Sequence, residues 1–197
     1  MVFKPRDVTS AAVFAVLTAI GAWISIPLPF TPVPLTLQVF FVLLAGAVLG
    51  SKRGMLAEAI YLLLGLVGLP ILAGGESGPS VLIGPTGGYL LGFLFAPYLI
   101  GRIAEKNPSP NLKHMTIATL IGLVPIYTLG IGCLWIWLNT NLSTLLIVGV
   151  FPFLPGDIMK AALAAFVATR NQLRQLTTQR TNHSPNGPFI CEKISVA

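Results

Sequence analysis

Long apolar stretches separated by short polar segments make up most of the first 170 residues. Val8 to Ile26 contains no charged residue, and the charge-free run continues to Ser51. Met115 to Gly156 also lacks any Lys, Arg, Asp, Glu or His. Because a helix needs about 20 apolar residues to span a bilayer, this pattern predicts several membrane-spanning helices.

Proline, glycine and polar clusters divide the apolar stretches into six predicted spans. Four prolines between residues 27 and 34 end the first span, since proline cannot continue a helix without losing a hydrogen bond. A glycine-rich loop follows the third span, and an apolar run leads into the last one. The predicted spans cover roughly 8–26, 36–51, 54–71, 86–104, 115–138 and 156–170.

The tail from residue 171 to 197 is polar and shows no apolar period, so we expect it to be solvated and largely disordered. The sequence therefore predicts an all-α membrane protein in two parts. Residues 1–170 form a transmembrane domain of six helices, and residues 171–197 form a polar cytoplasmic tail.

The composition and the placement of charge agree with this interpretation. Only 9% of the residues are charged, whereas soluble domains carry about 25%. All but one of the 12 Lys and Arg residues fall on one side of a six-span arrangement. The positive-inside rule then places both termini in the cytoplasm, as expected for a multi-pass protein of the cell membrane. The net charge of +6 is explained by these loops, so we expect no nucleic-acid partner.

The segment PFLPGDIMK interrupts the last apolar region with two charges, Asp157 and Lys160. Asp157 alone is suited to cap a helix, but a cation in the first turn lies at the unfavourable end of the helix dipole. The alternative is a self-contained pair at i, i+3, which gains only a few tenths of a kcal/mol in an exposed helix. Ionisable residues inside a membrane are functional candidates by default. We therefore favour a polar ligand or ion site over structural pairing.

Further polar or flexible residues are expected at the same, outer side of the membrane. Gln38 lies near the start of the second span, and Thr86 and Tyr89 lie near the start of the fourth. Gly74 and Gly75 belong to the loop between them, where glycine allows the backbone to approach a ligand closely. Each residue is a weak indication alone, and their convergence on one face is the evidence.

Two further features of the early spans have a structural and a functional interpretation. Glu58 lies five residues after Arg53, which favours snorkelling toward, or pairing with, that basic loop. Ala11, Ala15 and Ala19 form a stripe of small residues at the spacing that lets membrane helices pack closely. The stripe is either internal packing or a docking face for another membrane protein.

Motifs for catalysis and nucleotide binding are absent from the sequence. It contains no G-x-x-x-x-G-K-[ST] phosphate-binding loop and no H-E-x-x-H motif, and its only histidines are His114 and His183. We therefore expect no enzyme activity, no metal site and no bound cofactor. If the chain moves a solute uphill, the energy must come from a partner.

Several stretches resemble the BioY family, the biotin-specific substrate-binding subunit of energy-coupling factor transporters. The matching stretches cover nearly all of residues 20 to 166, and the tail lies outside them. They are ISIPLPFTPVPLTLQ, LLAGAVLGSKRG, YLLLGLVGLPILAGG, GPTGGYLLGF and FPFLPGDIMKAALAA. The resemblance implies six membrane helices, biotin as the transported ligand, and assembly in the lipid bilayer with a membrane coupling subunit and two ATP-binding-cassette ATPases.

The resemblance also implies roles for individual residues. Asp157 and Lys160 would belong to the biotin site, with Gln38 and Tyr89 as contributors. The alanine stripe would meet the coupling subunit. Thr86 and the glycine loop are further candidates, although Glu76 stands where a neutral residue is expected, and we expect it to face water. A same-fold subunit for another vitamin and an ion-coupled secondary transporter remain as alternatives.

Overall fold

The computed structural model describes residues 4–106 and 111–182, and this part of the chain is mostly helical. Each predicted span corresponds to a long helix, with shorter helices between some of them. The α-helices of the described residues are α1 (Pro5–Trp23), α2 (Gln38–Leu49), α3 (Ser51–Leu66), α4 (Pro79–Ile83), α5 (Gly87–Glu105), α6 (Leu112–Leu138), α7 (Leu142–Gly149) and α8 (Leu154–Asn182).

Length and apolarity mark some of these helices as membrane spans. In the described residues, α5 and α6 are each long and apolar enough to cross a membrane. The pair formed by α7 and by α8 up to Arg170 also meets this condition, as one span bent by 52°. The remaining helices that correspond to predicted spans are too short or carry charges at their ends, and α2 has only 12 residues. By length and composition, two helices of the described residues are able to cross a membrane, or three if the bent pair is one span, which is fewer than the six spans that the sequence predicts.

The first span ends earlier than predicted because the chain turns back at the proline-rich segment. Ser25–Ile26 forms β1, which pairs antiparallel with β2, Leu35–Thr36. The prolines between them cannot continue a helix, so residues 24–37 form a short hairpin instead. This ladder is a small departure from the predicted all-α architecture, and it places Thr36 immediately before α2.

The glycine-rich loop that follows α3 is also more ordered than the sequence predicted. A single 3₁₀ turn, Ala73–Gly75, is followed by α4, which begins at Pro79. Proline is favoured at the first position of a helix because its missing N–H would have no partner there. Gly74 and Gly75 both have positive φ angles, of 69° and 82°, which side chains with a Cβ rarely adopt.

The last helix is longer than predicted. α8 begins at Leu154 and continues to Asn182, so the expectation of disorder directly after Arg170 is wrong for residues 171–182. This stretch lacks Gly and Pro and is rich in Gln, Leu and Arg, which have high helix propensity. The remainder of the predicted tail, residues 183–197, lies outside the described residues.

The helices pack around α2 and the α5–α6 pair. α5 runs along α6, α1 packs on α2 and α3, and α8 packs on α2 and α6. The core contains large, fully buried side chains from three helices, among them Leu43, Ile100 and Ile126. This arrangement brings the start of α2, the first half of α5, the middle of α6 and the start of α8 together.

Glu58 neither snorkels toward the basic loop nor pairs with it, contrary to the prediction from the sequence. Its side chain is fully buried between α3 and α1, where one carboxyl oxygen accepts a hydrogen bond of 3.0 Å from Thr18. The other oxygen has no hydrogen-bond partner in the described residues. Arg53 pairs instead with Asp7 at 2.9 Å. Residues five apart do not share a helix face, so the proximity of Arg53 in sequence was misleading.

The alanine stripe of α1 also differs from its prediction as a docking face. Ala11 and Ala15 are buried, at 0% and 3% exposure, where α1 packs on α2 and α3. Ala19 is half-buried and lines an outer groove with Val16 and Ile20. Small residues allow close helix approach, and for Ala11 and Ala15 that approach is internal packing.

Candidate functional site

A pocket lies where the hairpin and the starts of α2 and α8 meet α5 and α6. The cavity has a volume of about 60 Å³ and opens in part to solvent. Most of its wall is apolar, and the polar groups are few, as is usual in small-molecule sites. The lining includes Val33, Leu35, Thr36, Gln38, Val39, Thr86, Tyr89, Phe93, Ile126, Tyr127, Phe153, Asp157 and Lys160.

Asp157 is the acid of the pocket and lies in the first turn of α8. The residue is 3% exposed. Its Oδ1 accepts a hydrogen bond of 2.8 Å from Lys160, and its Oδ2 accepts one of 2.7 Å from the Tyr127 hydroxyl. The position near the positive end of the helix dipole also favours a carboxylate. Asp157 is thus held as a buried carboxylate with a donor on each oxygen.

Lys160 joins α8 to the hairpin. In addition to Asp157, its ammonium group donates a hydrogen bond of 2.7 Å to the carbonyl oxygen of Thr36. The i, i+3 pair considered from the sequence therefore forms, but it belongs to a wider cluster that includes Tyr127. Taking two charges out of water is costly unless further hydrogen bonds satisfy them. Here the backbone of β2 and a tyrosine of α6 supply those bonds at the wall of a pocket.

Gln38 and Tyr89 also line the pocket, but their polar atoms have different partners. Gln38 is the first residue of α2, and its Nε2 donates to the hydroxyl of Tyr61 on α3. The Tyr89 hydroxyl donates to the carbonyl oxygen of Gly149 at 2.8 Å. That bond ties α5 to the end of α7. Because the hydroxyl is occupied in this way, Tyr89 contributes its aromatic ring to the pocket wall.

The glycine loop lies outside this pocket. Gly74 and Gly75 line a neighbouring, outer cleft together with Glu76 and Trp23. The two spaces share Pro34, Ala73 and Thr86 as a common wall. Glu76 is exposed, as expected. The structure thus brings Asp157, Lys160, Gln38, Tyr89 and Thr86 together and places the two glycines at the entrance.

Sequence reasoning missed Tyr127 and Tyr61. Tyr127 lies in the middle of a charge-free span, and Tyr61 lies on a helix that contributes no lining residue. A phenol is largely apolar and suits a membrane interior, so its presence alone does not indicate a site. The available signal was that Tyr127 lies well inside its span and away from the interfacial belt, where membrane tyrosines are enriched.

The arrangement is suited to a small molecule with polar groups at one end and apolar surface elsewhere. Among residues 4–106 and 111–182, no group of three or more His, Cys, Asp or Glu side chains is placed to hold a metal ion. The fold and the pocket together define a helical membrane protein with a polar ligand site between its helices.

Known proteins place this chain in one family. The sequence model of the BioY family matches residues 1–177. The biotin transporter BioY of Thermotoga maritima is 44% identical over 175 residues, which cover 89% of this chain and 99% of that protein. The probable biotin transporter BioY of Pyrococcus horikoshii is 43% identical over 171 residues, 86% and 98% of the two chains. The chain belongs to the BioY family.

A solved structure has the same fold. It is the crystal structure of the S-component for biotin from an ECF-type ABC transporter, with a TM-score of 0.80 and 33% sequence identity. The match covers 88% of this chain and 95% of that one. At this identity and coverage, the two chains share the arrangement of helices that forms the pocket.

Proposed function

We propose that this chain binds biotin with high affinity in the pocket beside Asp157. It takes part in biotin uptake as the substrate-binding subunit of an energy-coupling factor transporter, and it is not an enzyme. The relatives described above are named biotin transporters, and the solved structure with the same fold is an S-component for biotin. The observation that carries the proposal is the buried cluster of Asp157, Lys160 and Tyr127 in an otherwise apolar pocket.

The chemistry of biotin suits this pocket. The ureido ring has two N–H donors and one carbonyl acceptor, and the bicyclic ring and valerate chain are largely apolar. Asp157 accepts ureido N–H bonds, and Lys160 donates to the ureido oxygen or to the valerate carboxylate. Charge-assisted bonds of this kind are about twice as strong as neutral ones. The ring of Tyr89, with Phe93 and Phe153, packs against the apolar part of the ligand.

Isothermal titration calorimetry of biotin into the detergent-solubilised chain tests the proposal. Asp157→Asn keeps the shape of the side chain but removes the charge, and we expect it to lower the affinity at least tenfold, about 1.4 kcal/mol. Asp7→Asn is the matched control, because Asp7 pairs with Arg53 and does not line the pocket. We expect Asp7→Asn to bind as the wild type does.

The outcomes separate the alternatives. Equal affinity of a folded Asp157→Asn variant and the wild type would remove Asp157 from the site. Displacement of biotin by thiamine or riboflavin would favour a same-fold subunit for another vitamin. Biotin uptake into vesicles that lack ATP, abolished by an uncoupler, would favour an ion-coupled secondary transporter.

We further propose six membrane spans with both termini in the cytoplasm of the cell. Residues 1–170 form the transmembrane domain, and the end of α8 extends from it on the cytoplasmic side. The basic residues Lys4, Arg53 and Lys106 lie at one end of their helices. Exposed tryptophans, Trp23 and Trp135, lie at the opposite end, as in an interfacial belt. The shorter helices are accommodated by local thinning of the bilayer and by snorkelling of the residues that flank them.

The partners in this proposal are a membrane coupling subunit and two ATP-binding-cassette ATPases. The chain carries no phosphate-binding loop of its own, and biotin is its transported ligand, not a cofactor. Because Ala11 and Ala15 are buried, the coupling subunit would contact the outer face of α1, where Val16 and Ile20 are exposed and Ala19 lines the groove.

A further inference from the structure

The outer cleft is much larger than the pocket that holds Asp157. Its volume is about 490 Å³, whereas that of the pocket is about 60 Å³. Sites that enclose a drug-sized ligand measure about 300–1,000 Å³. Pro34, Ala73 and Thr86 line both spaces, so the two adjoin each other. A ligand anchored at Asp157 therefore fills the pocket with one end and places its other end in the cleft.

The charges of the pocket decide which end of the ligand lies inside. Lys160 donates to Asp157 at 2.8 Å, so an anion bound to Lys160 would also lie beside an acid. A neutral group that has both donors and an acceptor suits this pair better, because it can bond to each side chain. In biotin the ureido ring is such a group, and the carboxyl end of the ligand then points into the cleft.

The cleft has the opposite charge from the one that a carboxylate requires. Within residues 4–106 and 111–182, no Lys, Arg or His lines it, and Glu76 is its one acidic residue. Glu76 is exposed, and the ion pairs of the described residues involve Asp7 and Asp157 instead. Because like charges repel and opposite charges attract, the cleft disfavours a free carboxylate and favours a cation.

Hydrogen bonds hold the wall on which Glu76 lies. The backbone N–H of Leu72 donates to the carbonyl oxygen of Glu76 at 3.0 Å and closes the loop. Trp23 also lines the cleft, and its indole N–H donates to the carbonyl oxygen of Pro70 at 3.1 Å. The face of an indole attracts cations. The wall thus combines an acid with an aromatic ring, which suits an ammonium group.

We propose that the outer cleft is a subsite for a cationic group joined by an amide bond to the carboxyl end of biotin, with Glu76 as its specificity-determining residue. The inference rests on the proposed function and extends its substrate class to conjugates of biotin with amines. The amide bond replaces the carboxylate with a neutral group, which removes the repulsion from Glu76. A terminal ammonium group adds an attraction that salt screens, because Glu76 is exposed.

The test uses two biotin amides of equal length that differ in charge. N-(2-aminoethyl)biotinamide carries an ammonium group, and N-(2-hydroxyethyl)biotinamide carries a hydroxyl group in its place. Each amide and biotin are titrated calorimetrically into the wild type, Glu76→Gln and Asp7→Asn in an uncharged detergent. The titrations are made at ionic strengths of about 0.01 M and 1 M, where the Debye length is about 30 Å and 3 Å. Asp7→Asn is the matched control, because Asp7 lies at the other end of α1 from the cleft.

We expect the wild type to bind both amides within about tenfold of its affinity for biotin, because the described lining of the cleft offers the carboxylate no base. At low salt the ammonium amide should bind about twofold to fivefold more tightly than the hydroxyl amide, the range of an exposed ion pair. Glu76→Gln should remove this preference, and high salt should reduce it. Asp7→Asn should retain the preference, and thermal unfolding of each variant monitors the fold.

A wild type that binds biotin, but binds either amide more than about tenfold more weakly, would overturn the inference. The carboxylate would then be held in the pocket, or the cleft would be closed to ligands. A preference below about twofold at low salt, or one that survives in Glu76→Gln or at high salt, would remove the role of Glu76. Loss of the preference in Asp7→Asn would show that it reflects the net charge of the protein. A folded wild type that binds none of the three ligands would instead contradict the proposed function, so the two failures are distinguishable.

Discussion

Both carboxylate oxygens of Asp157 accept hydrogen bonds from protein donors. Each oxygen retains a second lone pair, so a ligand N–H joins the existing bonds and does not need to replace them. The fixed donors hold the plane of the carboxyl group. Tyr127, which reaches Asp157 from α6, is therefore part of the binding geometry even if it makes no contact with the ligand.

Tyr127→Phe should weaken biotin binding about tenfold without unfolding the protein. The variant removes one hydrogen bond to a buried charge, a loss of about 1.5–3 kcal/mol. The same hydrogen bond is also lost in the protein without ligand, so only part of this free-energy change lowers the affinity for biotin. Calorimetry beside thermal unfolding measures both. A lower melting temperature with unchanged affinity would show that the bond serves stability alone.

How far the sequence predicts the site depends on the kind of residue. Asp157 and Lys160 are conspicuous because charge is costly inside a membrane, and the structure places Gln38, Thr86 and Tyr89 beside them. Neutral polar groups give no comparable signal. The apolar character of phenol concealed Tyr127, and the burial of Glu58 against Thr18 depends on a helix contact that sequence spacing does not reveal.

Thr18→Val should lower the free energy of unfolding by about 1–3 kcal/mol, because both carboxyl oxygens of Glu58 would then be buried without a partner. Valine has nearly the shape of threonine, so packing is preserved. Thr18→Ser keeps the hydroxyl and is the control. Thermal or denaturant unfolding in detergent measures the difference, and equal stability of the valine and serine variants would contradict it.

At the scale of helices, the α5–α6 contact depends on missing side chains. A Cβ built on Gly92 would lie 2.5 Å from the Cα of Ile126 and 2.9 Å from the carbonyl oxygen of Pro125. Backbone atoms cannot move aside as side chains do. Close approach of this kind is how helices associate in lipid, and it places Tyr127 and Tyr89 on facing helices around the pocket.

Gly92→Ala should therefore destabilise the protein by about 1–3 kcal/mol, the usual cost of overpacking a core. Gly132→Ala is the matched control on α6, where nothing lies within 4 Å of the added Cβ. There, alanine should be neutral or slightly stabilising, since it favours the helix by about 1 kcal/mol over glycine. Melting temperatures of the two variants test the contrast, and equal values would contradict it.

The long helices were predictable from apolar length, but the short elements were not. β1 and β2 together contain four residues, and α4 has five, too few to give a periodic pattern. Their formation depends on tertiary contacts, such as the bond from Lys160 to Thr36 across the pocket. The end of α8 was missed for another reason, because polarity was taken as disorder where helix propensity was high.

For the whole molecule, the two ends carry different chemistry. Polar contacts tie the two ends of α1 to its neighbours: Asp7 pairs with Arg53 of α3 at one end, and Trp23 donates to the carbonyl of Pro70, in the loop after α3, at 3.1 Å at the other. The first end is basic, and the second is aromatic and adjoins the pocket entrance. By the positive-inside rule, this polarity supports the proposed topology, in which the biotin site faces the outside of the cell.

The orientation predicts which loops a membrane-impermeant maleimide reaches in intact cells. In a background with Cys133 and Cys191 replaced by alanine, Glu76→Cys should be labelled from outside, because Glu76 is exposed beside the pocket entrance. Lys106→Cys, exposed after α5, should be labelled only once the cells are permeabilised. Val124→Cys, on the apolar outer face of α6, is the control that the reagent should not label in either state. The reverse pattern for Glu76→Cys and Lys106→Cys would invert the topology, and labelling of both in intact cells would contradict the single span, α5, that the proposal places between them.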